Sequence, residues 1–135
     1  MEGNMYNFHE FFQERYRKIA LNSKRGWRAR MKAMIRLDDK EVKKQIALNE
    51  DELYIVRYCA MKLLGDQKVM QYLALNSKDD GVRYEAVKLI TDQKTLHQVS
   101  LTDIYDYIRE TAEKRLTELN KKLDEKLKED EKSSN

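Results

Sequence analysis

The sequence predicts an all-α fold, a solenoid of about four two-helix repeats with a C-terminal capping helix. Two landmarks carry that prediction. The first reads Ile19-Ala20-Leu21-Asn22, Ile46-Ala47-Leu48-Asn49, Leu73-Ala74-Leu75-Asn76 and Val99-Ser100-Leu101-Thr102, with starts 27, 27 and 26 residues apart. The second is an arginine opening a small-residue helix, at Arg30, Arg57, Arg83 and Arg109, spaced by 27, 26 and 26. Two independent landmarks sharing one period point to a supersecondary unit stacked on itself. The third observation is composition: no proline and only four glycines in 135 residues, with 38% charged and 41% hydrophobic. Such a chain suits helices with one buried stripe and one wet face.

The repeats are expected at about 8–37, 38–64, 65–90 and 91–116 of a single domain spanning 1–127. In the first, Phe8, Phe11, Phe12, Tyr16 and Ile19 form a heavy apolar face, expected to close the open end of the core. In the third, Asp66 stands as an N-cap, and Asp39 and Asp92 hold the same slot in their copies. Val69, Met70, Leu73 and Ala74 then recur on one helical face. Asn76-Ser77-Lys78-Asp79-Asp80-Gly81 breaks that pattern with turn and cap residues. The second helix carries Val82, Ala86, Leu89 and Ile90 on one stripe. The other copies supply Ala29, Ala33 and Leu37; Val56, Ala60, Leu63 and Leu64; and Ile108, Ala112 and Leu116. Ala33, Ala60, Ala86 and Ala112 are small in every copy, which lets neighbouring helices approach closely. Leu116, Leu119, Leu123 and Leu127 extend the last helix over 117–127, either as a cap on the last repeat or as a short coiled coil with another chain. Residues 128–135 are polar and expected to be a disordered tail.

Charge is unevenly spread. Residues 1–37 hold nine basic and three acidic side chains (+6), residues 38–116 thirteen and fifteen (−2), and residues 117–135 five and six (−1), which together give the net +3. The first repeat is thus a basic end on a balanced rod. No run of 18 apolar residues predicts a membrane span. Met1-Glu2-Gly3-Asn4 has neither a basic nor an apolar leader region, so no secretion signal is expected. The single Cys59 sits at an apolar repeat position, which suits a reducing, cytoplasmic setting.

The Asp-led first helix ending in Ile-Ala-Leu, the Asp-rich turn, and the second helix best seen in Asp79-Asp80-Gly81-Val82-Arg83-Tyr84-Glu85-Ala86-Val87-Lys88-Leu89-Ile90 together resemble the HEAT family of α-helical repeats, in its short bacterial form. The resemblance covers residues 8–116. It departs from the longer form in its period, its lack of proline, and the Trp27-Ala29 variation of the first copy. It implies a curved, right-handed superhelix with the second helices lining its concave side. It says little about the ligand, because such folds serve many functions.

Three groups of residues are candidates for function. Arg30, Arg57, Arg83 and Arg109 lie at the edge of the buried stripe. They are expected to bridge to turn aspartates or to acids of adjacent repeats, a comb for phosphates being the alternative. Opposite the stripe, Tyr58 and Lys62 project together, as do Tyr84 and Lys88, with Tyr54 alongside and Met31 and Ile35 at the matching positions of the first copy. The fourth copy has Glu110 and Lys114 there. Bulky residues at outward positions make a candidate protein-binding strip, because tyrosine is enriched at interfaces; a solvated face with incidental tyrosines is the plainer alternative. Finally, Lys24, Arg25, Arg28, Lys32 and Arg36 surround Trp27. This could serve a nucleic-acid backbone with one stacked base, or an acidic protein patch. Equally, it is a soluble basic cap with Trp27 packed on the first helix.

His9 and His97 lie on separate copies without partners at metal-binding spacing, so no metal is expected, and no glycine-rich phosphate loop is present. No catalytic set and no cofactor are expected. The leading expectation is a non-enzymatic adaptor or inhibitor that binds a partner protein through the outward face of its second helices. The alternative is nucleic-acid binding through the basic first repeat. An enzyme acting on a flipped base of alkylated DNA comes last. Phage and mobile-element proteins that block host enzymes are one class of such small binders. A monomer is expected, with a dimer through the C-terminal helix as the alternative.

Overall fold

The computed structural model describes residues 7–134 and is all-α. Its helices, among the described residues, are α1 (Phe8–Leu21), α2 (Trp27–Arg36), α3 (Lys40–Leu48), α4 (Tyr54–Leu64), α5 (Gln67–Asn76), α6 (Asp80–Leu89), α7 (Gln93–Thr102) and α8 (Asp106–Ser133). Among the described residues, no helix is long and apolar enough to cross a membrane. The chain divides into two compact units, 1–69 and 70–135, and the division falls within α5.

In the first unit α1 packs on α2, α3 on α4, and α2 on α4. In the second, α7 packs on α8 and α6 on α8. These consecutive helices therefore pair, and within each unit one second helix neighbours another, which is consistent with a helical repeat. The four small residues permit it: Ala60, Ala86 and Ala112 are 0% exposed and Ala33 is 4% exposed.

Each first helix from α3 onward begins at an aspartate. Asp39 accepts the N–H groups of Glu41 and Val42, Asp66 those of Lys68 and Val69, and Asp92 that of Thr95. These bonds satisfy donors that an α-helix leaves open at its start. Gly65 closes α4 in the left-handed region, at φ +63°, where a side chain is disfavoured.

The turns within the copies fall into two classes. Residues 22–26 and 49–53 form five-residue turns, whereas 77–79 and 103–105 form three-residue turns. In every case the first turn residue accepts a backbone N–H two positions on: Asn22 from Lys24, Asn49 from Asp51, Ser77 from Asp79, and Asp103 from Tyr105. This local bond gives the chain its bend.

Three expectations need correction. The aromatic face of α1 does not close the core: Phe8, Phe11 and Phe12 are 73%, 52% and 45% exposed, and in α1 only Ala20 is buried. The helix is turned so that His9, Gln13, Arg17 and Ala20 face its neighbours. His9 lies 2.8 Å from Asp38, Gln13 donates to the Arg36 carbonyl and accepts from the Asp38 N–H, and Arg17 bonds Asp39. These polar anchors set its facing. At the far end, α8 runs on as helix to Ser133, through residues expected to be a disordered tail. Its Lys/Glu-rich sequence contains no helix breaker, and strong helix formers sustain it. Nor does α8 fold over the last repeat as a cap: Leu123 and Leu127 remain 50% and 53% exposed.

Candidate binding surfaces

The repeated arginines are structural. Each is the fourth residue of its helix, one turn in, where a long side chain can reach back to the end of the preceding helix. Arg30 is 1% exposed; its Nε donates to the Ala20 carbonyl and its two Nη atoms grip Glu52 at 2.9 and 2.5 Å. Arg57, equally buried, bonds the Ala47 carbonyl and both oxygens of Glu50. Arg83 bonds the Ser77 carbonyl and both oxygens of Asp103. Arg109 bonds the Asp103 carbonyl and Asp106. Each guanidinium thus satisfies a carbonyl left open at a helix end or turn and is neutralised by a carboxylate. The Arg30 hydrogen bonds hold the Glu52 carboxyl below its ordinary range. Three of these arginines are buried and committed, so they offer no comb for phosphates.

The outward residues of the second helices separate into two patches, one in each unit. In the first unit, Tyr54 and Tyr58 stack on α4 with ring centroids 6.2 Å apart, and the Lys62 ammonium lies 5.5 Å from the Tyr58 ring. Tyr54 is 38% exposed, Tyr58 half-buried and Lys62 exposed. On α2, Met31 is half-buried and Ile35 is 60% exposed. In the second unit, Lys88 lies 4.5 Å from the Tyr84 ring and pairs with Glu85 at 2.8 Å. Tyr84, Lys88, Thr111, Lys114, Arg115 and Glu118 line a cleft of about 250 Å³.

Sequence reasoning missed two members of the second patch. Tyr107 sits 5.6 Å from Tyr84 and 5.8 Å from Tyr105, and the Arg83 guanidinium lies over the Tyr105 ring. The Tyr107 hydroxyl donates to Asp80 at 2.5 Å. That bond pushes the Tyr107 pKa up to about 12 and lowers that of Asp80. Reading the fourth copy in register with the others assigned its outward positions to Glu110 and Lys114. The tyrosines occupy the turn and the first turn of α8 instead. Their signal was available in the run Tyr105-Asp106-Tyr107, which has no counterpart in the other copies.

The basic end is smaller than its charge count suggests. Arg30 is buried against Glu52, and Arg17 is held by Glu14 and Asp39. Lys24, Arg25, Arg28, Lys32 and Arg36 are exposed, and Arg28 lies 4.5 Å from the Trp27 ring, which is 37% exposed. Beside them Phe11, Glu14, Arg15, Lys18, Ile19 and Arg25 line a groove of about 360 Å³.

Among the described residues, no three His, Cys, Asp or Glu side chains are placed to hold a metal ion. Cys59 is buried, and that burial pushes its thiol pKa up; an inert thiol follows. Searched against family models, curated proteins and solved structures, the chain matches none significantly.

Proposed function

We propose that the protein is a non-enzymatic interaction module, an adaptor or inhibitor, that binds a partner protein through the outward tyrosines and lysines of its second helices. The observation that carries this reading is the pairing of Tyr58 with Lys62 and of Tyr84 with Lys88, each ring already contacted by its own cation. Rings held in place before binding lose little freedom when a partner covers them, which favours affinity. The commitment of Arg30, Arg57 and Arg83 to helix ends supports the same reading, because it withdraws the repeated arginines from the surface. The pairing of consecutive helices is consistent with a helical repeat, and a HEAT-like solenoid remains our reading of the sequence period. A cytoplasmic setting suits the lone buried thiol, and a phage or mobile-element inhibitor is one class this module would fit.

The test is affinity capture from a lysate of the source organism, comparing the intact chain with a Tyr58→Ala, Tyr84→Ala variant. A protein retained by the intact chain and lost from the variant is expected, each tyrosine contributing on the order of 2 kcal/mol, about thirtyfold in affinity. Equal retention by a variant of unchanged helicity overturns the strip.

One observation favours the second reading, nucleic-acid binding through the first repeat: Trp27 carries Arg28 on its ring amid exposed Lys24, Arg25, Lys32 and Arg36. Gel shifts with duplex and single-stranded probes at low and moderate salt decide it. Phosphate binding must weaken steeply with salt through counterion release, and no shift at low salt removes this reading.

A further inference from the structure

The C-terminal half of α8 has no job within the repeats. The helix spans 28 residues, about 42 Å at the ordinary rise. Only its first part is engaged: Ile108 and Ala112 are fully buried, and the Arg115 Nε donates to the Ile90 carbonyl at 3.1 Å. Leu116 and Leu119 are half-buried, and every residue from Asn120 to Ser134 is exposed.

That exposed half carries a coiled-coil pattern. With Leu116 at d, the next core positions are Asn120 at a, Leu123 at d and Leu127 at a. The flanks differ in sign. Lys126 occupies g, whereas Asp124 and Glu131 occupy e. Asp130, at the following d, ends the apolar seam. In a parallel pair, g of one helix faces e of the next heptad on the other, so Lys126 meets Glu131, twice by symmetry. An antiparallel pair sets Lys126 against Lys126 and acid against acid, which repels. An asparagine at a single a position, as at Asn120, fixes register by pairing with its own copy.

We propose that the free half of α8 associates in parallel with the same segment of a second copy of this chain, Asn120 facing Asn120 and Lys126 facing Glu131. With only two apolar layers, Leu123 and Leu127, the association is weak, its dissociation constant on the order of 0.1 mM. The inference does not depend on what the tyrosine patches bind.

Sedimentation equilibrium of the full chain over a concentration series tests it. A monomer–dimer equilibrium is expected. Leu123→Asp with Leu127→Asp, both at exposed positions, abolishes it while helicity stays. A purely monomeric chain at about 1 mM overturns the proposal, and so does open-ended growth, which would mark end-to-end stacking of repeats. Orientation is read by charge exchange. Lys126→Glu and Glu131→Lys each weaken dimerisation roughly fivefold to tenfold, and combining them restores it. Under antiparallel pairing Lys126→Glu merely exchanges one like-charge contact for another, so indifference to that variant overturns the register. Asp130→Cys in a Cys59→Ala background is expected to form an interchain disulfide on mild oxidation, because parallel pairing brings the two positions together; failure to cross-link a demonstrated dimer likewise overturns the orientation.

Discussion

Arg30 and Glu52 form the most deeply buried ion pair of the first unit, with the guanidinium 1% and the carboxylate side chain 11% exposed. Removing the acid strands a buried cation. Glu52→Ala is therefore expected to destabilise the protein by about 3 kcal/mol in chemical denaturation, whereas Arg109→Ala, whose side chain is 34% exposed, costs no more than about 1 kcal/mol. The pair also sets a pH dependence. Because the folded pKa of Glu52 is lowered, its contribution is fully present above the ordinary value of 4.5 and lost as pH falls through the folded value. Acid unfolding of the intact chain should show this loss, and Glu52→Ala should lack it; superimposable acid profiles would contradict the linkage.

Tyr107 predicts an alkaline counterpart. Its pKa is raised from 10.0 to about 12 by the hydrogen bond to Asp80. Stability from that bond is complete below pH 10 and fades as pH climbs toward the folded value. Absorbance titration of the phenolates should show one late-titrating group that disappears in Tyr107→Phe and shifts down in Asp80→Asn. A titration unchanged by either substitution would count against the bond.

Ala86 is 0% exposed at a helix contact, and Ala86→Leu is expected to cost roughly 1–3 kcal/mol by overpacking. Thermal melting measures it. A melting temperature equal to that of the parent would mean that the second helices do not approach through their alanines.

The facing of α1 gives a contrast within one helix. Phe8→Ser, at a 73% exposed position, is expected to change stability by less than about 0.5 kcal/mol. Gln13→Ala removes two hydrogen bonds to the segment after α2 and should cost about 1 kcal/mol or more. Were the phenylalanine the more costly loss, α1 would pack as its hydrophobicity suggests and not as its polar anchors dictate.

The α1 case shows where sequence stops being informative. Period and capping carry local instructions: a helix start needs an acceptor and a stack needs a small residue, so Asp39, Asp66, Ala60 and Ala86 could be placed by pattern. Facing at an end is different, since hydrophobicity cannot tell a buried aromatic face from an unpartnered one. The arginine partners were legible as a class only. Glu50 and Glu52 stand two apart in one turn and serve different arginines, a choice made by three-dimensional reach. Of the candidate surface, the tyrosines on α4 and α6 followed from register. Tyr105 and Tyr107 fell outside it because the fourth copy places them in its turn and first helical turn.

The arginine clasp also explains how copies of unequal length coexist. After a five-residue turn the guanidinium reaches the alanine carbonyl ten positions back, at Ala20 or Ala47; after a three-residue turn it reaches the turn carbonyl six positions back, at Ser77 or Asp103. In both settings it finds one backbone acceptor and one carboxylate. The joint therefore accommodates a five-residue or a three-residue turn without stranding a charge.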